Sequence, residues 1–203
     1  MNLNDYEGRV MGAELLTDVE KKCISAVYHT RYVLEAWVVG GCLNRANSKD
    51  IDIITEFYTF TSEKDEIARL FNTGYHTVSN VFRQYPGASS DEKYDWIVKL
   101  QPRPGVDSRP IDVLVIQNNC EVDIRSFMEK NFPLSIQRIA LNVHTWDLYD
   151  DSEADSPFII ARPWVKGDSE QVMKYMRYYP DKKFLRLELT ELNRRYPHVD
   201  PPF

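Results

Sequence analysis

The stretch "DIDIITEF", residues 50 to 57, sets two carboxylates into the start of a run otherwise suited to burial. On a strand, residues two apart share a face. Asp50, Asp52 and Ile54 therefore project to one side, and Ile51 and Ile53 to the other. Apolar positions on both faces call for a sheet inside a core, whereas an isolated carboxylate resists leaving water. Something must compensate the charge at that end of the strand. A later segment, "IDVLVI" at 111–116, repeats the pattern: Asp112 precedes Leu114 and Ile116 on one face, with Val113 and Val115 opposite. If the two strands neighbour each other, three carboxylates converge at the rim of one sheet.

Three converging carboxylates suit a hard divalent cation such as Mg2+, with substrate phosphates and water completing its octahedron. Two such ions clamp the attacking and leaving oxygens of an in-line phosphoryl displacement. Upstream, "AWVVGG" (36–41) reads as a buried strand ended by glycines. A turn at Gly40 and Gly41 into a short helical segment exposes backbone N–H groups with no side chain to block a phosphate. Arg45, Ser48 and Lys49, in the same connection, add cationic or hydroxyl contacts.

The rest of the chain supplies helices and strands in alternation. "TDVEKKCISAVYHTRYVLE" has apolar residues at helical spacing behind a Thr17 cap, and "SEKDEIARLFNTG" is a helix capped by Ser62 and stopped at Gly74. "YHTVSNVFRQY" and "KYDWIVKLQ" are strands around the loop "PGASSDE". "CEVDIRSFMEKN" is helical with Asn119 as its cap, and "LSIQRIALNV" is a strand. "DLYDDSEADSP" reads as an acidic loop and "FIIARPW" as a short strand. Two helices are expected after it, "DSEQVMKYMRYY" and "DKKFLRLELTELNRRY", divided by Pro180. The pattern is α/β (α+β), with a catalytic domain over 1–165 and a small helical extension over 166–203.

No apolar run approaches the roughly 20 residues of a membrane span, and "MNLNDYEGRVMGAELL" lacks the layout of a secretory signal. Cys23, Cys42 and Cys120 are odd in number and widely spaced, which fits free thiols in a cytoplasmic protein. The net charge of −6 argues against a generic nucleic-acid coat. Residues 160–196, however, hold nine Lys/Arg against five Asp/Glu, so the remainder carries −10. There Lys174, Arg177, Lys182, Lys183 and Arg186 alternate with Tyr175, Tyr178, Tyr179 and Phe184. Cations beside rings that stack on bases suit a nucleotide or single-stranded RNA. The alternative is an amphipathic helix pair packing Met173, Met176, Leu185, Leu187 and Leu189 on the core.

"VVGGCLNRANSKDIDI" followed by "IDVLVI" resembles the catalytic core of the nucleotidyltransferase superfamily that includes DNA polymerase beta, poly(A) polymerases and CCA-adding enzymes. The "NFPLSIQRI" segment resembles the Phe-rich strand that follows the third carboxylate in small poly(A) polymerase-like proteins. The resemblance implies a mixed β-sheet with helices on one side, two Mg2+ ions with Mn2+ as an alternative, and transfer of a nucleoside monophosphate from an NTP. Asp50 and Asp52 match the metal-binding pair, Asp112 the third carboxylate, and Gly40 and Gly41 the triphosphate turn. Two departures stand out. Eight residues separate Gly41 from Asp50, about one helical turn fewer than in CCA-adding enzymes, and the family's Arg-Asp pair is represented by Asn44-Arg45. The expected activity is nucleotidyl transfer to an acceptor hydroxyl. An RNA 3′ end (tRNA or single-stranded) is preferred for the basic tail, where Lys174 and Arg177 are substrate-binding candidates. A toxin- or defence-type transferase acting on tRNA or protein, and a nucleotide-binding protein without turnover, are the alternatives.

Overall fold

The computed structural model describes residues 12–45, 47–58, 63–83, 95–117, 123–132, 134–162, 165, 169–188 and 194. Helix α1 (Asp18–Tyr28) opens on a capping box. The Thr17 hydroxyl accepts from the Glu20 N–H at 3.1 Å, and the Glu20 carboxylate accepts from the Thr17 N–H at 2.9 Å, which satisfies two otherwise orphaned donors. Its apolar stripe of Cys23, Ile24 and Val27 is fully buried.

Among the described residues, seven strands form one sheet: β1 (Val33–Val39), β2 (Ile51–Phe57), β3 (His76–Arg83), β4 (Trp96–Pro102), β5 (Ile111–Gln117), β6 (Ile139–Asn142) and β7 (Leu148–Asp150). Their order is β3-β4-β5-β2-β1-β6-β7. Only β2 and β5 run parallel in it; every other neighbouring pair is antiparallel. The sheet is therefore mixed, as expected. Helices, however, cover both faces rather than one. Ile51, Ile53, Ile111, Val113 and Val115 pack with α1 and with α2 (Lys64–Phe71) through Ile24, Val27, Ile67 and Phe71. On the other face Trp37, Val39, Ile54 and Leu114 pack with Ile124, Phe127 and Met128 of α3 (Ile124–Asn131). On the even-numbered side of β2 and β5, Ile54, Leu114 and Ile116 form an apolar patch beyond the aspartates, so each face needs its own cover.

Several local expectations change. Asp123 caps α3, its carboxylate accepting from the Arg125 and Ser126 N–H groups; Asn119 and Ser62 lie outside the described residues. The "LSIQRIALNV" segment divides into a 3-10 turn (Ser135–Gln137) and β6, and the expected acidic loop contributes edge strand β7. In the tail, α4 (Glu170–Tyr178) forms behind a Ser169 cap, but Lys183–Arg186 is strand β9 instead of helix. It pairs in parallel with β8 (Phe158–Ala161). β8 presents buried Ile159, Ile160 and Ala161, and its backbone needs a partner. Lys182 joins the two by donating from Nζ to the carbonyls of Ala154 and Ser156. Leu134, Ile136, Ile159, Ala161 and Val172 form a small core with Tyr175, Met176 and Phe184. This core crosses the division expected at residue 165. Cys23 and Cys42 are free buried thiols; Cys120 lies outside the described residues. No helix among the described residues is long and apolar enough to cross a membrane.

One buried ion pair fixes where β5 begins. Arg109 donates from Nε to Glu20 Oε1 at 2.6 Å and from Nη2 to Oε2 at 2.9 Å. The next residue, Pro110, accepts from the Ile51 N–H at 2.9 Å, so α1, β2 and β5 are aligned through this point. Burial pushes the Glu20 carboxyl up, but the bonds from Arg109 and Thr17 outweigh it and leave it below its ordinary value. Removing one partner strands the other charge. Glu20→Ala should lower unfolding stability by about 3 kcal/mol, measured by urea denaturation, whereas an exposed control such as Lys64→Ala should change it by less than about 0.5 kcal/mol.

Candidate active site

The register of the central strands brings the charged residues into one transverse row. Asp52 lies opposite Asp112 across the parallel β2–β5 pair. Lys99 of β4 lies opposite Asp112 on the far side, and Val39 of β1 lies opposite Asp52 on the near side. The row thus reads Lys99, Asp112, Asp52, Val39 across four adjacent strands. A 3-10 turn, Gly40–Leu43, begins immediately after Val39. These positions share the sheet face of Ile54 and Leu114, at the edge of the apolar layer under α3.

Each side chain has an identifiable environment. Gly40 has a φ of +76°, and a Cβ there would sit 3.8 Å from Asp52 Oδ2. Space is adequate; the left-handed backbone is what requires glycine. At Gly41 the reverse holds, because a Cβ would come within 2.8 Å of Arg45 Nη2. The Arg45 guanidinium lies over the Tyr178 ring of α4, 3.8 Å from its centroid. Its Nε is buried without a hydrogen-bond partner among the described residues. Asn44 is also buried, donating from Nδ2 to the Ile136 carbonyl at 2.9 Å. The Ser48 hydroxyl donates to the Asp50 carbonyl at 2.7 Å, shaping the entry into β2. Asp50 and Lys49 are exposed.

Charge in the row is only partly balanced. Burial, then the Asp50 and Asp112 carboxylates, push the Asp52 carboxyl up to about 7, against the pull of Lys174 and Lys99. Lys99 Nζ closes an ion pair with Asp112. Lys174 reaches this environment from α4, whose Tyr175 has its phenol pushed up to about 12 by burial, with Asp52 adding and Gln137 and Arg45 opposing. Arg177 is exposed on the same helix. The strand pairing thus brings Asp52 beside Asp112, and α4 brings Lys174 toward Asp52. Lys182, a tail cation in the basic-aromatic stretch, is committed to the β8 loop. Lys99 joins the site without a sequence signal that marks it as a site residue. Lys99 is a polar position in an ordinary strand alternation, whereas Tyr178 belongs to the basic-aromatic stretch and enters the site through Arg45.

Among the described residues, no three His, Cys, Asp or Glu side chains are gathered into an ion-holding group. The Asp112 carboxylate is engaged by Lys99. The donor chemistry nevertheless suits a hard divalent cation: carboxylates on adjacent strands leave Asp52 with more negative charge around it than the two lysines offset.

No family model and no curated protein matches this chain. Among solved structures it is similar to a CCA-adding enzyme in complex with ATP, at 15% identity and a TM-score of 0.42, over 89% of this chain and 39% of that one. It is also similar to an apo tRNA-processing enzyme at 15% identity and a TM-score of 0.48, covering 81% and 42% of the two chains. A complex of a tRNA-processing enzyme gives 15% identity and a TM-score of 0.47, covering 80% and 43%. The chain spans about two fifths of the length of each.

Two outcomes follow from the geometry. Gly40→Ala should cost about 1–2 kcal/mol of stability through its left-handed backbone, read by urea denaturation. The raised Asp52 carboxyl favours the folded state fully below its ordinary value of 3.8, and this is lost as pH rises through about 7. In EDTA, Asp52→Asn should therefore raise Tm by an amount that grows from pH 4 to 7 and then levels off. A gain independent of pH would assign the effect to packing.

Proposed function

We propose that this chain is an enzyme, a divalent-metal-dependent nucleotidyltransferase that moves a nucleoside monophosphate from an NTP to an acceptor hydroxyl. The observation that carries this reading is the transverse row: Asp52 and Asp112 on adjacent parallel strands, beside a glycine turn whose Gly40 approaches Asp52. Asp50, Asp52 and Asp112 would hold Mg2+, with Mn2+ as an alternative; two ions would supply charge stabilisation at the transferring phosphoryl group.

The chain's own groups divide the remaining work. The Gly40 and Gly41 amides take the β- and γ-phosphates, where no side chain intervenes. The acceptor oxygen attacks the α-phosphorus, the bond to the bridging oxygen breaks, and pyrophosphate leaves. The hydroxyl proton passes to an Asp112 carboxylate oxygen. Arg45, seated on Tyr178, and Lys49 offer charge to the triphosphate. Ser48 acts through the backbone, since its hydroxyl is spent on the Asp50 carbonyl. Catalysis is assigned to residues 1–165 and acceptor contacts to the extension over 166–203. There Lys174, Arg177 and Lys183 are exposed beside Tyr178. The preferred acceptor is an RNA 3′ end, single-stranded or in tRNA. Buried free thiols at Cys23 and Cys42 suit a cytoplasmic setting.

Labelled NTPs incubated with the protein, Mg2+ and total RNA, and separately with total protein, test the reading. Label should enter RNA and release pyrophosphate, and EDTA should abolish it. Asp52→Asn should reduce transfer by about three orders of magnitude, on the order of 4 kcal/mol of transition-state stabilisation. Label in protein would favour the toxin- or defence-type alternative. NTP binding with no transfer to either would favour a binding protein. Replacing Lys174, Arg177 and Lys183 together by Gln should weaken RNA binding and lower its log–log salt slope by about 0.7 for each phosphate no longer neutralised. NTP affinity should change little; an equal loss of both would move these cations into the triphosphate pocket.

A further inference from the structure

Lys99 is the one member of the transverse row whose charge opposes the aspartates. Its backbone is fixed: Val98 and Leu100, on either side, are fully buried on the opposite face, and β4 is flanked by β3 and β5. The side chain must therefore emerge on the aspartate face, directly opposite Asp112 across an antiparallel pair. There its ammonium forms the ion pair with Asp112. The two sides of this pair differ in freedom. The Asp112 side chain is 17% exposed and the Lys99 side chain 42% exposed, so the carboxylate is held in the row while the long lysine stem can swing. A half-exposed ion pair is weak, and a triphosphate offers an ammonium several negative charges at once.

We infer that Lys99 is a resident counter-ion that withholds the third carboxylate: the free chain offers a divalent cation only the Asp50–Asp52 pair, and Asp112 becomes a ligand when nucleotide phosphates draw the ammonium away. The inference rests on the metal-dependent reading above. An ammonium on one oxygen of Asp112 competes with a dication for that carboxylate, so the Lys99–Asp112 pair weakens the hold on a second ion. Without Lys99, the Asp50 and Asp112 charges would still bear on Asp52, and of the two lysines that offset them only Lys174 would remain. Lys99 thus relieves that repulsion at rest and, on moving to the phosphates, releases Asp112 at the moment an acceptor needs it. It is a positioning residue. The chain is thereby ordered to complete its metal site after nucleotide has entered.

Mn2+ binding followed by electron paramagnetic resonance and calorimetry tests this without turnover. The wild-type chain alone should bind one Mn2+. Asp50→Asn and Asp52→Asn should each weaken that binding at least tenfold. An NTP analogue with a methylene bridge between the α- and β-phosphorus should raise the wild-type stoichiometry to two. Lys99→Gln, checked for folding by circular dichroism, should bind the second Mn2+ without nucleotide, and the Lys99→Gln/Asp112→Asn double variant should lose it. A wild-type chain that binds two Mn2+ with no nucleotide present would overturn the inference. So would a folded Lys99→Gln variant that matches wild type in number and affinity. If wild type transfers nucleotide but shows either result, this inference alone fails. If it neither binds Mn2+ with the analogue nor transfers, the metal-dependent reading fails and this one with it.

Discussion

The pairing of β2 with β5 is the contact on which the candidate site depends. Among the described residues it is the only parallel pairing in the main sheet, and strands so joined need a long crossover rather than a hairpin. Here the crossover contains α2, β3 and β4. Because side chains alternate faces, a slip of one residue would send Asp112 to the α1 side and Val113 into the aspartate row. Two observations hold the register. Isoleucine and valine side chains fill the α1–α2 face of both strands, and the Glu20–Arg109 pair with the Pro110–Ile51 hydrogen bond fixes their starting points. The buried Glu20–Arg109 pair thus helps align the two strands that carry the aspartates.

Charge at the site is shared among elements far apart in sequence. Asp50 and Asp52 come from the start of β2, Asp112 from β5, Lys99 from β4 and Lys174 from α4. Fields fall with distance and are screened by water, so only partners brought close matter to Asp52. The net result is a carboxyl poised near neutrality, which marks incomplete compensation in the metal-free chain.

The tail is joined to this site more closely than its composition suggests. Arg45, five residues past the first turn glycine, stacks on Tyr178 of α4, and Asn44 bonds to the backbone at Ile136. The Ser135 hydroxyl in turn accepts from the Ile160 N–H at 3.0 Å, linking the same turn to β8. The small β8–β9–α4 unit therefore packs against the glycine turn while keeping Lys174, Arg177 and Lys183 exposed. Packing takes up part of this basic-aromatic stretch and leaves the rest exposed. Lys182 and Phe184 serve the small core. Tyr178, Lys174, Arg177 and Lys183 face outward.

The sequence by itself determined the strands that bear the aspartates, the helix cap at Thr17, and the glycine turn. Each is a local pattern: alternation of apolar and acidic residues, an oxygen-bearing side chain before a helical stripe, a residue without Cβ where φ is positive. It also placed Asp112 in the same kind of strand as Asp52, but could pair them only by resemblance, because nothing local encodes which strands are neighbours. Tertiary structure decided the rest. Strand β9 looked helical because "KKFLRLEL" carries helix-forming residues, and propensity yields when a neighbouring strand offers backbone hydrogen bonds and a buried face. Helices cover both sheet faces because burial on each side has to be satisfied. Lys99 acquired its role only through register: an exposed-looking lysine in an alternating strand becomes the counter-ion of an aspartate because the sheet sets them side by side.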